Sequence, residues 1–251
     1  MFQVLVQWSP LVAATTLATV STTPLPDWAR MWLIALSLYG GSKWLTWQRT
    51  LRRLSPPVLR SLAYLFLWPG MDARRFLSGT KAERPTMRQW LRAARNIICG
   101  AALIWLVAEW LTPWRPRAAA WVGLVGIGLL LHFGLLDLVS LVWQRAGVDA
   151  APIMHQPATA TSLAEFWGNR WNTAFRDLAH QLLYRPLVRP LGTRGAMAAV
   201  FLFSGVLHDL VISIPARAGY GLPTLYFIVQ AIGMEIERSG AARRWHLRGG
   251  V

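Results

Sequence analysis

The sequence predicts an all-α, polytopic membrane protein: a bundle of transmembrane helices with an amphipathic helix at the interface. Three observations carry that expectation. Hydrophobic residues make up 54% of the chain and charged residues only 15%, with a mean hydropathy of +0.35, whereas a soluble domain carries about 25% charge. Apolar stretches recur around 3–20, 31–47, 58–69, 96–111, 119–143, 195–215 and 220–236. The basic residues are gathered almost entirely in alternate loops between them. The 15 tryptophans and 15 prolines fit the same class, because Trp marks bilayer interfaces and Pro is tolerated in spanning helices.

Each stretch is judged against the roughly 20 residues a spanning helix needs. The first contains Gln3, Gln7 and Ser9-Pro10, and it lacks a basic leading region and a small-x-small cleavage site. It reads as a span rather than a removed signal. The stretch 31–47 reaches spanning length once it is extended back to Trp28. The stretch 58–69 is too short to cross and reads as re-entrant or buried inside the bundle, ended by Pro69-Gly70. The stretch 96–111 is short. Both 119–143, with His132 and Asp137 inside it, and 195–215 are long enough, and 220–236 follows.

With the amino terminus outside and 58–69 failing to cross, 22 of the 26 basic residues share one side, and only Arg30, Arg115, Arg117 and Arg217 lie on the other. That asymmetry is the positive-inside pattern. The net charge of +15 therefore reports topology and attraction to anionic headgroups. Nucleic acid is excluded as a partner, since a DNA-binding face does not need basic loops alternating with apolar spans. Cys99 is the only cysteine, which rules out a disulfide framework or an all-cysteine metal site within one chain. The whole of 1–251 reads as one membrane-embedded domain in the bacterial inner membrane, with a cytoplasmic-side loop over 144–194.

That loop becomes helical at SLAEFWGNRWNTAFRDLAHQLLYRP. Ser162 and Glu165 have capping-box spacing, and Pro186 closes the helix or starts the next turn. At 3.6 residues per turn, one flank carries Glu165, Asn169, Asn172, Arg176 and His180. The opposite side carries Trp167, Trp171, Phe175, Leu178 and Leu182. This is an amphipathic helix lying in the interface or covering the bundle mouth, with Trp167 and Trp171 as its anchors. Asn172 stands out, because an amide beside an apolar bundle must be hydrogen-bonded. It is suited to orienting a ligand or a histidine.

His208, in FSGVLHDLVI, sits near the centre of 195–215 with Ser204 one turn earlier on the same face and Asp209 beside it. A polar group at membrane depth is expensive and faces the protein interior or a water-filled cavity. Three uses are open: a helix-packing hydrogen bond, a metal ligand, and a general base or proton relay. Metal lacks support, since there is no HExxH motif and the i,i+5 spacing of His132 and Asp137 gives no tight ligand face. Neutral imidazole suits proton transfer. A proton-coupled transporter and a non-catalytic membrane scaffold compete with an enzyme. The chain shows no convincing internal repeat of the kind transporters often carry.

Three blocks carry a family resemblance: YLFLWPGMDARRFL (64–77), EFWGNRWNTAFRDLAHQLLYRPL (165–187) and FLFSGVLHDL (201–210). In these the chain resembles the membrane-bound O-acyltransferases, in the branch similar to wax synthases. The resemblance implies a helical bundle around an internal chamber and transfer of a fatty acyl group from an acyl-CoA thioester to a lipophilic alcohol. It implies His208 as catalytic base and Asn172 as its partner, with acyl-CoA as a substrate and no permanently bound cofactor. Trp167, Trp171, Arg176 and Ser204 complete the candidate set as substrate-binding residues, while Arg170, Arg176 and Arg185 are candidates to meet coenzyme A phosphates. A glutamate often follows the histidine in the family, and Asp209 stands there instead. The resemblance further implies that a final apolar hairpin is lacking at the carboxyl end.

Overall fold

The computed structural model describes residues 25–239 and, before them, residues 9, 11–13, 15–17, 19 and 20. Half of the predicted first span, 3–20, falls outside these residues, as does the carboxyl end after 239. All regular structure among the described residues is helical.

Helix α1, Asp27–Leu51, starts directly after Pro26, whose extended backbone ends the preceding segment. Helix α2, Val58–Leu67, follows Pro57 and stops where Trp68 turns extended. It buries Ser61, Ala63 and Tyr64, while Val58, Leu59 and Phe66 remain exposed. The expected burial inside the bundle therefore holds for one face only. The reason is geometric: ten residues rise about 15 Å, and a helix that short packs on α1 along a single stripe.

The Trp68–Asp72 turn is fastened to α1 by a buried lysine. Lys43 Nζ donates to the carbonyls of Trp68 (2.9 Å) and Gly70 (2.8 Å). It lies 3.2 Å from the Tyr64 ring centroid, and Tyr39 Oη also donates to Trp68 O. In sequence Lys43 counts only as one of the basic-side charges. In the fold its ammonium is enclosed, and two carbonyls with an aromatic face replace water. Helix α3, Ala73–Leu77, capped by Asp72, places fully buried Phe76 among Tyr64, Trp68 and Trp143.

Three helices among the described residues are long and apolar enough to cross a membrane: α4 (Met87–Leu111), α5 (Pro116–Arg145) and α7 (Thr173–Ala216). The predicted short stretch 96–111 is thus extended to 25 residues. Its first turns are amphipathic and carry Arg88, Arg92 and Arg95, which conceals them from a search for apolar runs. Between α4 and α5 the backbones meet at Gly100 and Gly126. A Cβ on Gly100 would fall 2.5 Å from Leu130 N, so only glycine permits this approach. Exposed Trp28, Trp110, Trp114 and Trp121 cluster at the less basic helix ends, as an interfacial belt requires.

The segment read as one amphipathic helix over 162–186 is divided. A short helix α6, Leu163–Glu165, opens into a π-turn, Phe166–Arg170, and then breaks at Asn172. The second part is the start of α7 and buries Thr173, Ala174, Leu178 and Ala179. It packs into the bundle instead of lying on it. Helix α7 runs on through Pro186, which does not close it, and kinks at Gly192 with φ of 67°. Its second arm carries His208 and pairs with α8, Leu222–Arg238.

Candidate functional site

Asn172 occupies the left-handed region at φ 43°, ψ 59°, a conformation asparagine tolerates better than most residues. Its Oδ1 accepts from Phe175 N at 3.1 Å and so caps α7. That bond orients the amide, because only the oxygen can accept from a backbone N–H. The Nδ2 group is thereby left as a donor on a side chain that lines two cavities. Backbone N–H of Asn172 reaches Met154 Sδ at 3.2 Å, tying the break to the preceding loop.

His208 Nδ1 lies 2.7 Å from the carbonyl oxygen of Ser204. A carbonyl only accepts, so Nδ1 carries the proton and Nε2 carries the lone pair. The imidazole rests 4.7 Å from the Phe227 ring centroid. His208 is exposed rather than buried, because it lines an accessible cavity instead of a closed helix contact. Ser204 contributes its carbonyl to the histidine and is itself buried.

Trp167 and Trp171 are not interface anchors. Trp167 donates Nε1–H to Gln230 Oε1 at 3.1 Å and packs against Phe201 and Phe227. Trp171 stacks on Phe166 at 5.6 Å, with His132 at 6.1 Å. Both indoles are half-buried among aromatic side chains.

The arginines are likewise more committed than their sequence suggests. Arg176 pairs with Asp177 at 2.6 Å and donates to Gly168 O at 2.7 Å. Arg170 pairs with Glu165 and donates to Thr159 Oγ1 and the carbonyls of His155 and Gln156. These two organise the loop, and Arg176 also lines the cavity that holds His208. Arg185 is exposed. The Glu165 carboxylate is held at a pKa of about 2 by hydrogen bonds from Thr161 backbone and side chain, with Arg170 adding to them. It also departs from the predicted capping box: Ser162 accepts from Glu165 N, but the carboxylate turns to Thr161. His155 is pushed down by burial first and by the surrounding arginines second.

One cavity of about 350 Å³ gathers all six predicted site residues, Asn172, His208, Trp167, Trp171, Arg176 and Ser204. A second cavity of about 370 Å³ lies behind it, lined by His132, Tyr39 and many apolar side chains, and shares Asn172, Phe175 and Ala179 with the first. Both fall within the usual range for small-molecule sites, about 300–1,000 Å³. No cluster of three or more His, Cys, Asp or Glu suited to a metal occurs among the described residues.

Asp209, whose role the sequence leaves open, faces away from this chemistry. Its carboxylate accepts from Ser213 Oγ, Gly221 N, Thr224 N and Thr224 Oγ1. It therefore fastens the start of α8 to α7, one turn ahead of Phe227, which packs on His208. The sequence signal was the turn Gly219-Tyr-Gly221-Leu-Pro223, whose following helix start needs an acceptor.

The family described as "Membrane bound O-acyl transferase family" matches residues 150–229, a segment that includes both Asn172 and His208. The chain is 33% identical over 136 residues to "Probable long-chain-alcohol O-fatty-acyltransferase 7" of Arabidopsis thaliana, covering 48% of this chain and 39% of the relative. It is 30% identical over 106 residues to "Long-chain-alcohol O-fatty-acyltransferase" of Simmondsia chinensis, covering 37% and 30%. It is 27% identical over 94 residues to "Acyl-CoA--sterol O-acyltransferase 1" of Arabidopsis thaliana, covering 35% and 27%. The aligned parts thus span under two-fifths of these relatives. All three are plant proteins, so they lend no support to a bacterial inner membrane.

Proposed function

We propose, from the match of residues 150–229 to the membrane bound O-acyl transferase family, that this chain moves a fatty acyl group from a coenzyme A thioester to the hydroxyl of a lipophilic alcohol within the membrane. The observation that carries the reading is the 2.7 Å contact between His208 Nδ1 and the carbonyl oxygen of Ser204, an oxygen that can only accept a hydrogen bond. With Nδ1–H committed to the Ser204 carbonyl, Nε2 presents its lone pair on the same cavity as Asn172. A neutral imidazole so held is a general base.

In the proposed reaction Nε2 takes the proton of the acceptor hydroxyl as that oxygen attacks the thioester carbonyl carbon. The carbon–oxygen bond forms, the carbon–sulfur bond breaks, and the imidazolium returns its proton to the departing thiolate. Asn172 Nδ2–H donates to the carbonyl oxygen as negative charge develops there, where a fixed donor is worth most. No covalent acyl-enzyme is needed. Cys99 is exposed on α4 and does not line the His208 cavity. Arg176, which lines the cavity, and exposed Arg185 are the basic candidates for the donor's phosphates.

His208→Ala in the purified protein, assayed for ester formation from a long-chain acyl-CoA and a panel of long-chain alcohols, is expected to lose at least about 100-fold in turnover. Wild-type turnover in that variant overturns the assignment. So does substrate-coupled proton movement in proteoliposomes without any ester product, which favours the transporter.

A further inference from the structure

The block YLFLWPGMDARRFL takes no part in the proposed chemistry, yet the fold joins it to Asn172 through residues 148–155. Trp68, Phe76 and Leu77 share a buried cluster with Val148 and Ala150. Met71 shares a second with Ile153, Ala174 and Leu178. Arg75 of α3 pairs with Asp149 at 2.7 Å. From α5, Ser140 Oγ and Gln144 Nε2 donate to the Ala150 carbonyl at 2.6 and 2.9 Å. A segment held from both flanks is a fixed support for whatever leans on it.

What leans on it is the break at Asn172. Residues 153–155 run antiparallel to 170–173. Thr173 N and Oγ1 donate to Ile153 O at 2.9 and 3.1 Å, and His155 N donates to Arg170 O at 2.8 Å. Between these two backbone contacts a side chain intervenes: Asn172 N donates to Met154 Sδ at 3.2 Å. Met154 is buried. A thioether is a weak acceptor, but here it meets the N–H of the residue held at φ 43°. A non-glycine residue stays in the left-handed region only where its surroundings hold it there. Without the sulfur, that N–H faces a buried apolar side chain and goes unpaired, which a folded chain avoids by shifting its backbone. Any such shift re-aims the Asn172 side chain.

We propose that Met154 is a positioning residue for acyl transfer: its thioether fixes the backbone of Asn172 and so aims the Nδ2 donor. This rests on the proposed role of Asn172 and adds to it the residue that keeps the donor in place.

The test is steady-state ester formation by the purified full chain as wild type, Met154→Leu and Met154→Gln, each paired with a thermal melt in detergent. Leucine keeps the apolar bulk and removes the acceptor. Glutamine keeps an unbranched side chain ending in an acceptor oxygen, but sets a polar amide in an apolar site. A packing role ranks leucine above glutamine, and a positioning role ranks them the other way. Met154→Leu is expected to lose about tenfold in turnover, as a displaced group does, with KM for both substrates within about twofold of wild type. Met154→Gln is expected to recover most of that loss. In an Asn172→Asp background Met154→Leu is expected to add no further loss, because the donor it aims is gone. Wild-type turnover in Met154→Leu overturns the proposal, as does a folded Met154→Gln no better than about a tenth of wild type. So does a fully additive loss in the double variant. Ester formation by wild type with any of these results sinks the positioning role alone, whereas no ester from wild type sinks the acyl-transfer reading and this role with it.

Discussion

The choice of substitution at Asn172 decides whether an experiment there reads chemistry or folding. Alanine confounds the two. It lacks the polar side chain that lets asparagine adopt φ 43°, which costs up to about 1 kcal/mol, and the lost cap on Phe175 N costs about 0.5–2 kcal/mol more. A loss of roughly 2–3 kcal/mol is enough to unfold a marginal protein, and inactivity would then say nothing about the site. Aspartate separates the terms. It tolerates the left-handed conformation and keeps an oxygen for the cap, but it replaces the Nδ2–H donor with a second acceptor. Asn172→Asp is therefore expected to melt within a few degrees of wild type while turnover falls about 100- to 1,000-fold, the usual cost of removing one oxyanion donor. The assay pairs a thermal melt in detergent with steady-state ester formation. A folded Asn172→Asp protein with wild-type turnover refutes the donor role, whatever the alanine variant does.

Two further expectations test the framework around the site. Glu165 is held at about 2, below its ordinary value, by Thr161 and Arg170. A depressed carboxylate contributes stability that is fully present above its unfolded value and is lost as pH falls through the folded value. The melting difference between wild type and Glu165→Gln should accordingly be flat above about pH 5 and shrink toward pH 2, and a difference independent of pH over that range rejects the account. Asp209→Ala removes the acceptor for Ser213, Gly221 and Thr224. It is expected to lower the melting temperature and raise amide exchange at the start of α8, and unchanged exchange there removes Asp209 from that role.

Much of the architecture was legible because bilayer solvation acts locally on the chain. Runs of apolar residues must be helical to satisfy their backbone, so α5 and the second arm of α7 could be found by length alone. Helix α4 was cut short because the basic residues of its first turns hide a helix that only capping and packing complete. The single helix over 162–186 was misread for a different reason. Its periodicity is sound on both sides of Asn172, and nothing local shows that one residue between them adopts a left-handed conformation.

Hydropathy, the alternation of basic loops, and the polar residues within apolar runs were enough to identify a helical membrane protein and to single out His208 and Asn172. These are properties of short windows, and the solvent enforces them window by window. Only the tertiary structure decided how those residues are used. It spent Asn172 Oδ1 on a helix cap, turned Trp167 onto Gln230 of α8, paired Arg170 and Arg176 within their own loop, and brought His132 to the far side of Trp171. Several of these contacts join residues far apart in the chain, and even the ion pairs within the loop depend on its fold. A donor's partner is set by which atoms the fold brings within hydrogen-bond reach, and for pairs such as Trp167 with Gln230 no short window of the sequence holds both.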